Sequence, residues 1–337
     1  MLAPLAEAVP PAQYGGTERV ISILTEELVR RGHEVTLFAS GDSHTAATLV
    51  PMTPRALRGQ RVVDAWAFTM REVGEAYRRA GDFDVIHSHV DYFAFPSAEL
   101  SATPTVTTTH GRLDVPEVQD VYRSFPDVPL VAISRAQRRS LKGVRWVATV
   151  YHSVDLTTYA FRPDPGTYLL FLGRISPEKR PDRAIEIARD VGMPLVIAAK
   201  VDPQDADYYE HAIKPLIDGT DGVEFVGEVD EHGKDRLMGE AYAYLFPIDW
   251  PEPFGLTMAE AMATGTPVVA YRAGSVSEVV EHGVTGFVCR SFREMLDAVA
   301  RVRKLDRAAC RARVERLFSP SAMADAYEKV YRGLLPA

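Results

Sequence analysis

The sequence predicts an α/β protein with two domains, each built on a parallel β-sheet with helices on its faces. The chain has 337 residues, which exceeds one hydrophobic core and suits two domains of about 150 residues. In both halves, apolar runs of strand length alternate with amphipathic helical patterns. A polar, proline-bearing stretch over residues 151–165 lies between the halves and predicts an interdomain connection.

The composition excludes several classes of protein. Hydrophobic residues make up 46% of the chain and charged residues 25%, as in globular proteins. No apolar run reaches about 18 residues, so no membrane-spanning helix is expected, and peripheral membrane contact stays open. The formal net charge of −8 argues against general nucleic-acid binding, although local donors can still bind a nucleotide.

The N-terminus and the cysteines favour a cytoplasmic location. The opening residues, MLAPLAEAVPPAQYGG, lack the basic region and the long apolar core of a signal peptide. Cys289 and Cys310 are too few for a disulfide framework, so a reducing compartment is expected.

In the first half, residues 1–160, a short strand is expected over residues 1–5. Thr17 is expected to cap a helix over residues 18–31, and residues 43–60 are expected to form a polar connection. Ser134 is expected to cap another helix, beginning at Arg135. The other predicted elements here are strands over residues 35–39, 84–86, 105–109, 128–133 and 146–150, and a helix over residues 62–80.

A glycine pair, Gly15-Gly16, stands at the predicted start of the first helix. Backbone N–H groups at such a position can approach a phosphate closely, because glycine has no side chain to obstruct it. A plain tight turn is the alternative interpretation.

Histidines follow two predicted strands of this half. His87 and His89 follow the strand over residues 84–86, and their alternation places both rings on one face. A metal site is one interpretation, but no third ligand is evident nearby in the sequence, so structural or substrate-lining roles are favoured. His110 follows the strand over residues 105–109.

The second half, residues 161–318, restarts with an apolar strand over residues 168–172. Asp230 is expected to cap a helix that ends near residue 241. A last helix over residues 321–335 is expected after Pro320. The other predicted elements are strands over residues 195–199, 223–227, 244–248, 268–269 and 283–288, and helices over residues 181–191, 208–217, 256–264, 291–304 and 307–318.

Two spaced cations, Arg174 and Lys179, follow Gly173 between a strand and a helix. A diphosphate suits this arrangement, because an arginine offers paired donors, a lysine offers a point charge, and a helix start carries partial positive charge. Scattered surface cations are the alternative.

Two carboxylates, Glu252 and Glu260, lie at the strand–helix junction that follows the predicted strand over residues 244–248, Glu252 in the loop and Glu260 in the helix. The amides of Phe254, Gly255 and Leu256 lie between them, where first-turn donors lack helical partners. In parallel α/β sheets ligands bind beyond the carboxyl ends of the strands, which is where this loop is expected. A solvated helix start with acids complementing the dipole is the alternative.

The string YLFPIDWPEPFGLTMAEAMATGTPVVA, with the Gly-Arg and Glu-Lys motifs before it, resembles the signature of retaining glycosyltransferases of family 4. The resemblance covers nearly the whole chain and is strongest over residues 168–288. It implies the GT-B fold, in which two Rossmann-like domains face each other across a cleft. It also implies an N-terminal acceptor domain, a C-terminal donor domain and a helix over residues 319–337 that crosses back to the first.

The resemblance implies roles for the candidate residues. Arg174 and Lys179, beside Gly173, would hold the donor diphosphate. Glu252 would contact sugar hydroxyls and Glu260 the ribose. The remaining implied donor contacts are the His110 side chain on the sugar, the backbone near Val226 on the base, and the Gly15-Gly16 loop on the diphosphate or the acceptor.

The chain departs from the family pattern at three places. His152-Ser153 replaces the usual Asn-Gly, Arg180 follows the lysine where Gly or an Asn-like residue is usual, and Ala273 replaces a glycine. The first departure weakens any specific contact from His152 or Ser153.

The expected reaction is transfer of a sugar, with retention, from a nucleoside diphosphate sugar to an acceptor hydroxyl. UDP-glucose is the first expectation for the donor and GDP-mannose the second. No Asp-x-Asp metal motif stands in the sequence, so no metal or other cofactor is expected. The acceptor, whether small molecule, glycan or lipid-linked, stays open. A non-catalytic nucleotide-sugar binding protein and a sugar-nucleotide epimerase are the alternatives.

Overall fold

The structure, a computed structural model, describes residues 1–13 and 15–335. It divides into two compact units. The first consists of Met1–Ser153 and the chain from Pro320 onward, and the second of Val154–Ser319. The domain boundaries predicted from the sequence, after residues 160 and 318, lie close to these.

The first unit is a parallel sheet with helices. Its elements are α1 (Gly16–Arg30), β1 (Thr36–Ser40), β2 (Thr48–Thr53), α2 (Ala65–Arg78), β3 (Ile86–Ser88), α3 (Phe95–Leu100), β4 (Thr105–Thr109), α4 (Pro116–Ser124), β5 (Leu130–Ala132), α5 (Arg135–Ser140), β6 (Trp146–Thr149) and the C-terminal helix (Pro320–Leu334). Strands β3, β4, β5 and β6 pair in that order, and β1 pairs with β2. The strand predicted at the N-terminus is reduced to Leu2, which bridges Phe38 of β1 and Ser88 of β3.

Two predictions for this unit are wrong. The connection predicted over residues 43–60 contains β2, an edge strand paired only with β1; its Pro51 is exposed, as edge strands allow. The predicted cap Thr17 lies inside α1, whose N-cap is Gly15 without a side-chain hydrogen bond. Ser134 caps α5 as predicted, because its side chain accepts a hydrogen bond from the Gln137 N–H.

The C-terminal helix packs in this unit. Arg31, at the end of α1, donates to Asp325 at 2.6 Å and to Glu328 at 3.1 Å. Tyr327 and Tyr331 of the helix reach the hydroxyl of Thr108 and the ring of His87, at 2.9 and 2.8 Å.

The second unit is a six-stranded parallel sheet. Its elements are β7 (Tyr168–Arg174), α6 (Pro181–Val191), β8 (Leu195–Lys200), α7 (Ala206–Tyr208), α8 (Lys214–Asp218), β9 (Val223–Gly227), α9 (Glu231–Gly239), β10 (Ala241–Phe246), α10 (Leu256–Ala263), β11 (Val268–Tyr271), α11 (Val276–Val279), β12 (Gly286–Cys289), α12 (Phe292–Arg301) and α13 (Arg307–Leu317). The strand order is β12-β11-β10-β7-β8-β9. This is the doubly wound order, and its direction reverses between β7 and β10.

The helix predicted over residues 208–217 is interrupted. A π-helical turn, Tyr209–Ile213, separates α7 from α8. Pro215 near the start of α8 has no N–H to donate to the preceding turn, which favours a wider turn at this place. Asp230 caps α9 as predicted, accepting from the Gly233 N–H at 2.8 Å.

A buried arginine joins the elements behind the sheet of the second unit. The Arg307 guanidinium donates to the carbonyl oxygens of Arg162, Gly239 and Ala241 at 2.8, 2.9 and 3.1 Å. It also donates to the Thr266 hydroxyl at 2.7 Å. One side chain thereby donates to four acceptors from three segments of the chain.

We predict that Arg307→Ala lowers the free energy of unfolding by about 3 kcal/mol, because it leaves several buried acceptors unpaired. Urea denaturation followed by circular dichroism measures the loss. Arg303→Ala, which removes an exposed arginine from the neighbouring segment, is the matched control and should change the midpoint little. Equal midpoints for the two variants would contradict the structural role of Arg307.

Candidate active site

The point where the strand order reverses brings two loops of the second unit together. One follows β7 and carries Lys179, and the other follows β10 and carries Glu252. Because β7 and β10 are parallel neighbours, their carboxyl ends lie at the same edge of the sheet. Open α/β sheets bind ligands at this position.

Lys179 and Glu252 form an ion pair across these loops. The Lys179 Nζ donates to Glu252 Oε2 at 2.6 Å, and Glu252 is only 8% exposed. The ammonium group also lies 4.8 Å from the ring centroid of Trp250 and 5.4 Å from that of Phe246. The sequence separated these two residues into a phosphate motif and a sugar motif, and the structure joins them.

Arg180, which departs from the family pattern, occupies a left-handed conformation with φ of 56°. Glycine and asparagine adopt this region more readily than arginine, which explains why they are usual here. The Arg180 guanidinium bonds Asp182 at 2.6 Å and Asp249 at 3.1 Å. Asp249 also donates its N–H to the Glu178 carbonyl at 2.8 Å, so the two loops are held together by several contacts.

Arg174, the last residue of β7, is surrounded by acids. It donates to Glu178, and its guanidinium lies 3.8 Å from Asp202 and 3.6 Å from Asp205. A diphosphate would therefore compete with these carboxylates for Arg174. A Cβ added at the neighbouring Gly173 would meet no atom within 4 Å, so the backbone there borders open space.

The segment before α10 requires its glycine. Gly255 is the N-cap of α10 with φ of 78°, and an added Cβ would lie 2.5 Å from the Met258 methyl carbon. The buried ring of Phe254 packs edge-on to Phe318, so this side chain belongs to the core. Phe254 can therefore contact a ligand only through its backbone. Leu256 begins the helix.

Glu260 has a partner that the sequence did not reveal. It is 2% exposed, and its Oε1 accepts from Lys234 Nζ of α9 at 3.1 Å. Lys234 also pairs with Glu231 at 2.6 Å and lies 5.8 Å from the Tyr159 ring centroid. The sequence signal for Lys234 was weak, because its spacing to Glu231 resembles an ordinary surface ion pair.

Val226 lies in β9, two strands away from β7, and is 37% exposed. Gly227 after it has φ of 75°, which turns the backbone at the strand end. The backbone of this turn is therefore open for a ligand, whereas the Val226 side chain gives no base preference.

In the first unit, Gly15 and Gly16 lie at the start of α1. Gly15 has φ of 153°, and an added Cβ would lie 2.7 Å from Pro11 Cβ. A side chain at residue 15 would clash with Pro11 in this turn, so the turn itself requires glycine. The tight-turn interpretation therefore accounts for Gly15 without a ligand.

Four histidines form a row in the first unit, of which His87, His89 and His152 are buried and His110 is half-buried. The His87 and His89 ring centroids are 4.0 Å apart, and His89 Nδ1 lies 2.9 Å from His110 Nε2. The His110 ring stacks on His152 with centroids 5.1 Å apart. The sequence indicated no further histidine near His87 and His89, and tertiary folding supplies two. His87 also bonds the Thr108 hydroxyl at 2.7 Å, which supports a structural role.

Burial keeps this row neutral. It lowers the pKa of His110 to about 3 and holds the pKa values of His87, His89 and His152 well below the usual range. Because both rings are neutral, a single proton lies between His89 Nδ1 and His110 Nε2: one ring donates it and the other accepts it.

Within residues 1–13 and 15–335, no group of three or more His, Cys, Asp or Glu side chains is arranged to hold a metal ion. Over the same residues, no helix is both long and apolar enough to cross a membrane. Cys289 and Cys310 are free and buried, and burial raises the pKa of each thiol to about 12.

We predict that the histidine row makes stability fall as the pH drops below 6.5. The unfolded histidines take up protons there while the folded ones do not, so each contributes a loss of about 1.4 kcal/mol per pH unit until its folded pKa is reached. His110→Asn should reduce the slope by one such contribution between pH 6 and pH 4. Chemical denaturation across this range measures it.

His44→Gln is the control for that slope, because His44 is exposed in the folded chain and solvated in the unfolded one. A slope that is the same for His110→Asn as for the wild type would show that His110 takes up its proton while folded.

Comparison with known proteins agrees with this architecture. A family model described as Glycosyltransferase Family 4 matches residues 14–159, and one described as Glycosyl transferases group 1 matches residues 160–312. Together they account for most of the chain.

Relatives support the same assignment over the full length. A glycogen synthase of Mycobacterium tuberculosis is 27% identical over 387 aligned positions, covering 96% of this chain and 92% of the relative. The crystal structure of AviGT4, a glycosyltransferase involved in avilamycin A biosynthesis, has a TM-score of 0.76 at 25% identity and covers 99% and 96% of the two chains. Anabaena Alr3699/HepE in complex with UDP-glucose has a TM-score of 0.74 at 17% identity, covering 96% and 97%.

The doubly wound sheets, the loops at the carboxyl ends of β7 and β10, and these matches lead to one assignment. The chain belongs to the family 4 glycosyltransferases and is a glycosyltransferase with the GT-B fold of two Rossmann-like domains.

Proposed function

We propose that this glycosyltransferase moves a hexose from a nucleoside diphosphate sugar to an acceptor hydroxyl, with retention of configuration and without a metal ion. UDP-glucose is the first choice of donor and GDP-mannose the second. The observation that supports the proposal is the Lys179–Glu252 ion pair of 2.6 Å at the reversal of the strand order, because it joins the residues proposed to bind the phosphate and the sugar.

The positive groups act on the leaving group. When the bond from the anomeric carbon to the phosphate oxygen breaks, its electron pair stays on the diphosphate and raises the negative charge there. Lys179 and Arg174 bind this charge more strongly in the transition state than in the ground state, which lowers the barrier. The amides of Gly255 and Leu256, at the start of α10, add donors to the same region.

The carboxylates orient the donor. Glu252 accepts hydrogen bonds from sugar hydroxyls once the diphosphate has drawn Lys179 toward itself. Glu260 accepts from the ribose hydroxyls, and the ion pair with Lys234 holds this buried carboxylate in place. The exposed turn after Val226 binds the edge of the base through its backbone.

Retention follows if the acceptor attacks the face from which the diphosphate departs. The departing phosphate oxygen then takes the proton of the acceptor hydroxyl as the new glycosidic bond forms. No residue is assigned as a covalent nucleophile. His110 is proposed to contact the donor sugar, and the loop of Gly15 and Gly16 to contact the diphosphate or the acceptor.

The choice of donor rests on relatives. The UDP-glucose complex of HepE favours a UDP-linked glucose, and the glycogen synthase relative favours glucose as the sugar. The acceptor is a small molecule, a glycan or a lipid-linked sugar, and the enzyme is proposed to act in the cytoplasm. A non-catalytic sugar-nucleotide binding protein and an epimerase are the alternative functions, and neither would release nucleotide in proportion to an acceptor.

We predict that Lys179→Ala and Glu252→Ala each lower acceptor-dependent release of UDP from UDP-glucose by about 100-fold or more, the range for removing one group that stabilises a transition state. A coupled nucleotide-release assay, run with UDP-glucose and GDP-mannose over a panel of acceptors, measures the loss. Lys214→Ala is the control, because Lys214, the first residue of α8, makes an exposed ion pair with Glu210 of the preceding turn.

Turnover that is unchanged in both variants, with an acceptor that the wild type uses well, would remove the catalytic assignment. Tight binding of the sugar nucleotide without acceptor-dependent release would favour the non-catalytic alternative.

We also predict that EDTA leaves the transfer rate unchanged, because Lys179 and Arg174 supply the positive charge that a metal provides in other transferases. Rates measured after exhaustive chelation, and again after adding Mg²⁺ or Mn²⁺, test this. A rate that falls more than about tenfold with EDTA and returns with either ion would contradict metal independence.

A further inference from the structure

A cavity of about 750 Å³ lies in the second unit and shares no residue with the donor-site residues described above. It is lined by Arg272, Arg290 and Arg313 together with Ser277 and His282. We propose that this cavity is a second, anion-binding site of the enzyme, which takes a phosphorylated small molecule.

Two of the arginines stand side by side at strand ends. Strands β11 and β12 are parallel, with Tyr271 opposite Cys289. Arg272 and Arg290 are the next residues of the two strands, and the Arg272 N–H donates to the Cys289 carbonyl at 2.8 Å. Neighbouring strands are about 4.8 Å apart, so both guanidinium groups can reach one phosphate at the carboxyl edge of the sheet.

The guanidinium groups of Arg272 and Arg290 are available to bind a ligand. Both residues are exposed, and among residues 1–13 and 15–335 neither side chain has a hydrogen bond or an ion pair. Most arginines of this chain are engaged with carboxylates or carbonyls, as Arg180 and Arg307 are. Arginine forks match phosphate oxygens in paired hydrogen bonds, which favours a phosphoryl group as the ligand.

The third arginine and the acids of the lining have partners of their own. Arg313 donates to the Val279 carbonyl at 2.7 Å and to Glu281 at 2.6 Å. Glu294 accepts the Arg290 N–H at 2.8 Å. Glu281 is thus neutralised by Arg313, so the cavity keeps a positive excess of one, from three arginines and two glutamates.

Neutral donors complete the lining. The His282 Nδ1 accepts the Val288 N–H at 3.1 Å, so the neutral ring carries its proton on Nε2 and offers a donor. Ser277 contributes a hydroxyl. The volume falls within the range of about 300–1,000 Å³ that is usual for small-molecule sites, which leaves space for a sugar-sized group beside the phosphate.

A short segment connects this cavity with the donor loop. Ser275 lies between Arg272 and Ser277, and its N–H donates to the Glu252 carbonyl at 2.9 Å. Its hydroxyl donates to the Phe254 carbonyl at 2.7 Å. A ligand on Arg272 therefore contacts the same segment that positions Glu252.

Calorimetric titration with inorganic pyrophosphate tests the site without using activity. The wild type is expected to bind at two sites, the donor loops and the cavity. Lys179→Ala weakens the first and keeps the second, whereas the double variant Arg272→Ala/Arg290→Ala weakens the second by at least about tenfold and keeps the first. Glucose 1-phosphate, titrated in the same way, tests the space for a sugar.

The control is Arg293→Ala/Arg303→Ala, which removes two exposed arginines outside the cavity lining and changes the net charge equally. Equal weakening in the control and in the cavity variant would mean general electrostatic attraction and would overturn the proposal. So would a single site that disappears in Lys179→Ala and is unchanged in the cavity variant. Arg272 and Arg290 are both exposed, and urea denaturation verifies that the variants fold.

Discussion

The ion pair between Lys179 and Glu252 is the constraint on which the candidate active site of this enzyme depends. The two residues are 73 positions apart in the chain, and they meet because β7 and β10 are neighbours at the reversal of strand order. Removing both charges from water is costly, so the pair persists only with close geometry and supporting aromatic contacts. Trp250 and Phe246 provide the latter around the ammonium group.

Both carboxylates of the candidate site have a lysine partner. Lys179 pairs with Glu252 and Lys234 with Glu260, and such partners offset part of the cost of burying a charged group. Under the proposed function, phosphate oxygens of the donor replace the carboxylate at Lys179, and sugar hydroxyl groups replace the ammonium at Glu252. Under the same proposal, the diphosphate replaces the acids around Arg174.

Backbone packing fixes the position of Glu252. An added Cβ at Gly274 would lie 2.2 Å from the Glu252 carbonyl oxygen, so these two segments approach too closely for any side chain at residue 274. Gly255 has the left-handed conformation that starts α10. Close backbone packing on both sides of Glu252 fixes its position, and it joins the loop after β10 to the segment that lines the arginine cavity.

The sequence by itself determined the α/β class, most strands and the resemblance to the family, because alternating apolar runs and glycine-bearing turns are local signals. It also determined the caps at Ser134 and Asp230, which depend on residues three positions apart. It missed β2, since an edge strand with an exposed proline has the composition of a loop.

Only the tertiary structure decided which charges meet. Lys234 reaches Glu260, Lys179 reaches Glu252, and His110 and His152 join His89 through contacts between elements distant in the chain. Strand order determines which of these side chains are in contact, and it depends on how whole helices and strands pack against one another. Local residue patterns do not encode that packing. The sequence therefore predicts the candidate site residues, and only the fold determines which side chains they contact.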